Sequence, residues 1–303
     1  MYTDHDDFGG LERDLPLLLQ RRHVIKLLAG GSLLALASCG TGSKQSVATN
    51  PASTSGSAAP IGTSSTAGTT TATSGSVATA ATTATASSGS GSAATCTPIN
   101  EETAGPYPGD GSNGPNVLAE SGILRSDITS SFGSSTTVAQ GVPTTVTMTI
   151  QGTANGCSAL ANAAVYVWHC SGDGLYSLYS QGATNENYLR GLQQAGADGR
   201  VTFTTIFPGA YSGRWPHIHF EVYASVAEAT SGGQPIATSQ LAMPQDVCNV
   251  VYATAGYEKS ISNFAQTPLS RDNVFSDDGA AHQIPTATGS VGSGYTLELA
   301  VPV

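Results

Sequence analysis

The chain has 303 residues and carries 11 Lys and Arg against 21 Asp and Glu, a formal net charge of −10. No basic stripe or Lys/Arg-rich helix interrupts that acidity, which excludes nucleic acid as a natural partner and reads as ordinary surface solubility. The length allows one large domain or two small ones, but the composition is too uneven for the whole chain to be fold.

Residues 1–39 read as an address. Arg21-Arg22, His23 and Lys26 precede a short apolar run from Leu27 to Ala37, well below the about 20 residues of a membrane span. The run ends in small residues before Cys39. This resembles a twin-arginine export signal joined to a lipobox, with Cys39 as the lipidation site and new N-terminus. Export, and anchorage to a bacterial membrane on its periplasmic or outer side, are the expectation. Residues 40–95 are almost wholly Ser, Thr, Ala and Gly, with Lys44 as the lone charge. Such a stretch has too little apolar surface to offset its ordering entropy and reads as a disordered tether.

Residues 96–303 form the expected domain, with 6 Lys and Arg against 16 Asp and Glu. Runs rich in β-branched and aromatic residues, bounded by turn residues, predict strands at 144–151, 163–170, 200–207, 217–224, 236–242 and 295–301. A short helix is expected near 244–253, and long loops at 104–135 and 171–199 are candidates to line a site. The pattern predicts an all-β fold, a β-sandwich with long loops and little helix. Four cysteines lie in this domain: Cys96, Cys157, Cys170 and Cys248. An even count outside the cytoplasm predicts two disulfides. Cys157 and Cys170 flank an extended strand and would stand on the order of 25 Å apart, against the about 6 Å that a disulfide spans. Cys96–Cys157 with Cys170–Cys248, and Cys96–Cys170 with Cys157–Cys248, both stay open.

The stretch "YSGRWPHIHF" (residues 211–220) carries the chemistry. On a strand His217 and His219 point to one side, Ile218 and Phe220 to the other. Apolar residues opposite imidazoles imply that both faces are covered, and two buried imidazoles need partners. A metal ion is the economical one. The run "DGRVTFTTIFPGAYSGRWPHIHF", with "AVYVWHCSGDGLYS" upstream and the opening "EETAGPYPG", resembles the intradiol ring-cleavage dioxygenases over roughly 96–250.

That resemblance implies the intradiol type of sandwich and a non-haem Fe(III) ion held by Tyr176, Tyr211, His217 and His219. It implies that Arg214 faces the substrate and that Gln240 stands on the neighbouring strand. Gly105, Pro106 and Tyr107 would wall the substrate pocket, and Tyr211 would leave the metal as substrate binds. The implied reaction opens a catechol-type ring with O2 between its two hydroxylated carbons, giving a cis,cis-muconate-type diacid with no organic cofactor. Phenolate oxygen suits the hard ferric ion, and two tyrosinates offset its charge in a dry pocket. His169 reads as structural, His282 has no assigned role, and oligomerisation is left open. The rival reading is an exported transthyretin-like binding module whose H-x-H pair is structural or holds zinc. A metal-dependent hydrolase is weaker still, lacking a carboxylate or Ser/His/Asp grouping beside these residues.

Overall fold

The computed structural model describes residues 95–303; the twin-arginine segment, Cys39 and nearly all of the tether lie outside the described residues. Nine strands occur among the described residues: β1 (Pro143–Gly152), β2 (Ser158–Ala159), β3 (Ala164–Trp168), β4 (Arg190–Gln194), β5 (Arg200–Ile206), β6 (His217–Tyr223), β7 (Ala237–Ala242), β8 (Thr286–Ser290) and β9 (Gly294–Pro302). Three helices accompany them: α1 (Val226–Thr230), α2 (Gln245–Val251) and α3 (Glu258–Gln266). One sheet runs β2-β1-β9-β8, with β5 also on β1; the other runs β4-β3-β6-β7. The β1–β9 pair is parallel, and every pair of the second sheet is antiparallel.

Side-chain parity explains the sandwich. From β6, Ile218, Phe220 and Val222 enter the core between the sheets, meeting Val146, Met148 and Ile150 of β1 and Val165 and Val167 of β3. Full burial of each such side chain contributes about 1.5–3 kcal/mol. A slip of one residue would drive the histidines into that core, so the register of β6 is tightly specified. The opposite face of the second sheet is also buried: Tyr166 and Trp168 of β3 and Tyr223 of β6 cluster there with Ala104, Tyr176 and Tyr211 from the loops. All seven residues of β6 are buried. The long loops thus act as a third layer, and the polar face of β6 lies beneath them.

The structure differs from the sequence reading in several elements. The segment 171–199 is not all loop, because it contains β4, whose sequence RGLQQ has little strand character and is extended by its pairing with β3. Helices α1 and α3 and strands β2 and β8 fall where no such element was expected. A second disulfide does not form: Cys96 and Cys157 are bonded, whereas Cys170 and Cys248 are free and buried. Cys170 sits at the end of β3 and Cys248 in α2, inside apolar clusters, where a thiol packs as a small hydrophobe. Burial pushes the Cys170 thiol up to about 12.

Candidate functional site

His217 and His219 project from the loop-covered face of β6, and their Nε2 atoms are 3.0 Å apart. Pairing sets what flanks them: His219 lies opposite Trp168 on β3 and Gln240 on β7. The Trp168 ring stacks on the His219 imidazole, centroids 4.8 Å apart and only 4° from parallel. Tyr176 arrives from the loop after β3 and Tyr211 from the loop before β6. Their Oη atoms are 3.3 and 3.4 Å from His217 Nε2. The structure therefore brings Tyr176, Tyr211, His217 and His219 together, with three donor atoms within 3.4 Å of the fourth.

Local chemistry places each tyrosine. Gly174, at φ +81°, lets the Tyr176 loop pass the Tyr211 loop; a Cβ there would stand 3.2 Å from Tyr211 Cβ. The Tyr211 loop is fastened by α3: Ser260 Oγ accepts from the Ala210 N–H at 2.8 Å, and Asn263 Nδ2 donates to the Ala210 carbonyl at 2.9 Å. An element missed from the sequence thus holds one of the residues found in it.

Arg214 and Gln240 are also brought in. Arg214 Nη2 donates to Gln240 Oε1 at 2.7 Å, and its Nε donates to Asp272 Oδ2 at 2.9 Å. Gln240 Nε2 donates in turn to the Thr103 carbonyl at 2.8 Å, tying β7 to the N-terminal segment. Asp272 is fully buried and accepts further from the backbone N–H groups of Trp215, Val274 and Phe275. Burial alone would raise its carboxyl, but the Arg214 charge and these N–H groups hold it below the usual carboxylate range.

Gly105, Pro106 and Tyr107 reach the site from the same chain. Gly105, at φ +68°, lies against His219; a Cβ there would be 3.2 Å from the imidazole Cε1. Pro106 is buried next to it, its carbonyl accepting from Asn113 Nδ2 at 2.6 Å. Tyr107 packs on Tyr176, centroids 4.8 Å apart. His169 stays outside the cluster: its ring nitrogens bind Thr205 Oγ1 at 2.7 Å and the Cys170 carbonyl at 2.8 Å. His282 is exposed. Sequence reasoning missed Asp272, Trp168 and Arg190; only Trp168 stood in a motif that was read.

The donor set passes a test for a hard cation. His217 Nδ1 lies 2.6 Å from the Trp215 carbonyl, which only accepts, so Nδ1 carries the hydrogen and Nε2 has a lone pair facing the cluster. That single lone pair faces two phenols and a second imidazole, and His219 Nδ1 is buried without a hydrogen-bond partner. Burial, and then the Arg214 charge, push His217 below its usual range. Burial and then His217 do the same to His219. Burial, then the adjacent Tyr211, push the Tyr176 phenol well up. Two neutral imidazoles and two crowded phenols make a poor hydrogen-bond network but a suitable cage for a cation that takes the phenolic protons' place. Among the described residues no group of three or more His, Cys, Asp or Glu could hold a metal ion, so this cage depends on its tyrosines.

No protein-family model and no curated protein matches the chain. Solved structures do. An intradiol ring-cleavage dioxygenase from Tetranychus urticae aligns with a TM-score of 0.54 at 24% identity, covering 68% of this chain and 94% of that one. The dioxygenase domain of a carbohydrate-binding fusion protein from Streptomyces sp. SirexAA-E aligns with a TM-score of 0.45 at 23% identity, over 68% and 98% of the two chains. The chain has the fold of the intradiol ring-cleavage dioxygenases.

Proposed function

We propose that the protein is a non-haem Fe(III) dioxygenase that opens a catechol-type ring between its two hydroxylated carbons, adding both atoms of O2 to give a cis,cis-muconate-type diacid. The observation that carries this reading is the convergence of Tyr176, Tyr211 and His219 on His217 Nε2 within 3.4 Å. These four side chains would hold the ion. A bound ferric ion supplies Lewis acidity, acidifying the phenols and drawing electron density so that the bound ring reacts with O2.

The chain's own residues do the rest. His217 and His219, kept neutral by burial, present lone pairs rather than protons. Tyr211 would act as proton acceptor for the entering diol, its own phenolic proton having been released to solvent when the ion is taken up. The Arg214 guanidinium, aimed by Asp272 and Gln240, stabilises negative charge on the ring. Gly105, Pro106 and Tyr107 close the pocket against water. The sequence of residues 1–39 supports export and lipid attachment at Cys39, and the tether then spaces the enzyme from its membrane.

Purified protein reconstituted with Fe(III) is expected to be red-brown and to consume O2 with catechol, hydroxyquinol or protocatechuate, giving a ring-opened acid identifiable by mass. A colourless protein that takes up zinc instead, with no O2 uptake on any of the three diols, would overturn the reading in favour of a binding module.

A further inference from the structure

Arg190, the first residue of β4, engages every N–H of its guanidinium. It is 0% exposed. Its position opposite Trp168 on β3 puts its side chain on the loop-covered face. Nε donates to Ser177 Oγ at 3.0 Å. Nη1 donates to the Pro108 carbonyl at 2.7 Å and to Tyr166 Oη at 3.1 Å. Nη2 donates to the carbonyls of Tyr107 and Ser177, both at 2.9 Å. A guanidinium has five N–H groups, and here all five are used on neutral oxygens.

We propose that Arg190 is the positioning residue of the site, setting Tyr176 and the Tyr107 wall in register with each other. One planar fork grips two segments that are far apart in sequence. Ser177, next to the candidate ligand Tyr176, is held through its hydroxyl and its carbonyl. Tyr107 and Pro108 are held through their carbonyls, and the Tyr107 ring packs on Tyr176. The grip is tight, since a Cβ on Gly109 would stand 2.8 Å from Arg190 Nη1. Ser177 Oγ passes the link on, donating to the Tyr188 carbonyl at 2.7 Å. Lysine cannot replace this group, because its three donors radiate from one point and lack the fork. The inference deepens the functional reading and rests on it for what Tyr176 and Tyr107 do, but the clamp can be tested without metal.

The test uses the full chain and three variants: Arg190→Lys, Ser177→Ala and Tyr166→Phe. In metal-free protein, hydrogen exchange is followed by mass at residues 104–111 and 176–183. Arg190→Lys should speed exchange in both segments together. Ser177→Ala should loosen only the second, and Tyr166→Phe, whose hydroxyl also donates to the Pro108 carbonyl at 2.7 Å, only the first. Ferric titration, read by the tyrosinate band, should show affinity lowered about tenfold or more in Arg190→Lys, with the band shifted. Folded Arg190→Lys with unchanged exchange and an unchanged band would overturn the proposal. Should that variant not fold, Ser177→Ala and Tyr166→Phe decide, and the proposal fails if neither shows its segment-specific loosening. A wild-type protein with no tyrosinate band overturns the functional reading instead, while the exchange result still judges the clamp.

Discussion

Replacing Asp272 by Asn isolates the support of Arg214. Both partners of the Arg214–Asp272 ion pair are essentially buried, with side chains 1% and 0% exposed. Oδ2 accepts from Arg214 Nε at 2.9 Å and from the Trp215 N–H at 2.6 Å, while Oδ1 accepts from the N–H groups of Val274 at 2.9 Å and Phe275 at 3.0 Å. An asparagine amide can satisfy one of these two pairs and must turn its NH2 toward the other, whose members are all donors. Two hydrogen bonds to a charged acceptor are lost, and the guanidinium loses its counter-charge in the interior. Breaking one side of a buried pair costs about 3–5 kcal/mol, and losing two charge-assisted bonds at about 1.5–3 kcal/mol each gives a similar figure. The assay is urea unfolding of the metal-free, disulfide-intact protein. Arg200→Ala serves as control, because its pair with Glu298 is 46% and 55% exposed and is worth less than about 1 kcal/mol. A loss for Asp272→Asn no larger than that of the control would refute the assignment of an ionised, four-fold-satisfied carboxylate.

Tyr211→Phe should retain ferric ion at reduced affinity, shift the visible band and cut turnover about 100-fold or more, as loss of a proton acceptor does; an unchanged spectrum removes Tyr211 from the metal's surroundings. Burial, partly offset by a hydrogen bond from Gln283, raises the Glu102 carboxyl from 4.5 to about 8. A raised acid binds its proton more tightly in the folded state, so its stabilising effect is complete below pH 4.5 and is lost as pH climbs through about 8. Glu102→Gln should therefore flatten the fall in urea stability across that window, and an identical pH profile would count against it. The Cys96–Cys157 bond spans a separation of 61 residues, so Cys96→Ser should lower stability by about 4 kcal/mol on the chain-entropy account; no loss would mean that the bond does not form. Alkylation of denatured, unreduced protein should tag Cys170 and Cys248 but neither Cys96 nor Cys157.

What the sequence showed was whatever its local pattern carried. Strands β1, β5, β6, β7 and β9 announce themselves through alternation or β-branched runs, and His217-x-His219 shares a face because strand parity requires it. Strand β4 does not, because Gly191 and two glutamines carry no strand signature and the extended form comes from the partner strand. The groups that brace the site were hidden for a related reason. Arg190 and Asp272 gain their roles through partners 82 and 58 positions away, and a lone charge in a loop-like stretch looks the same whether it ends in solvent or under a third layer. The expected second disulfide failed because counting cysteines says nothing about which side of a strand each thiol leaves from. Cys170 instead turns its thiol toward the Gly209 carbonyl at 3.4 Å.

The fold also bears on the proposed route of export. A twin-arginine pathway would carry the chain already folded, before an oxidising compartment could close Cys96–Cys157. The N-terminal segment that walls the site is held by other means. The Ile99 N–H donates to the Pro302 carbonyl and the Glu102 N–H to the Thr238 carbonyl, both at 2.8 Å. Gln240 Nε2 reaches the Thr103 carbonyl, and Arg190 takes those of Tyr107 and Pro108. All of these bonds lie downstream of Cys96 and need no oxidant. The disulfide fastens only the near end of that segment to the turn after β1, so it adds stability to a site that is already assembled. Under the proposed export route, the cage of Tyr176, Tyr211, His217 and His219 would thus stand before its covalent tie closes.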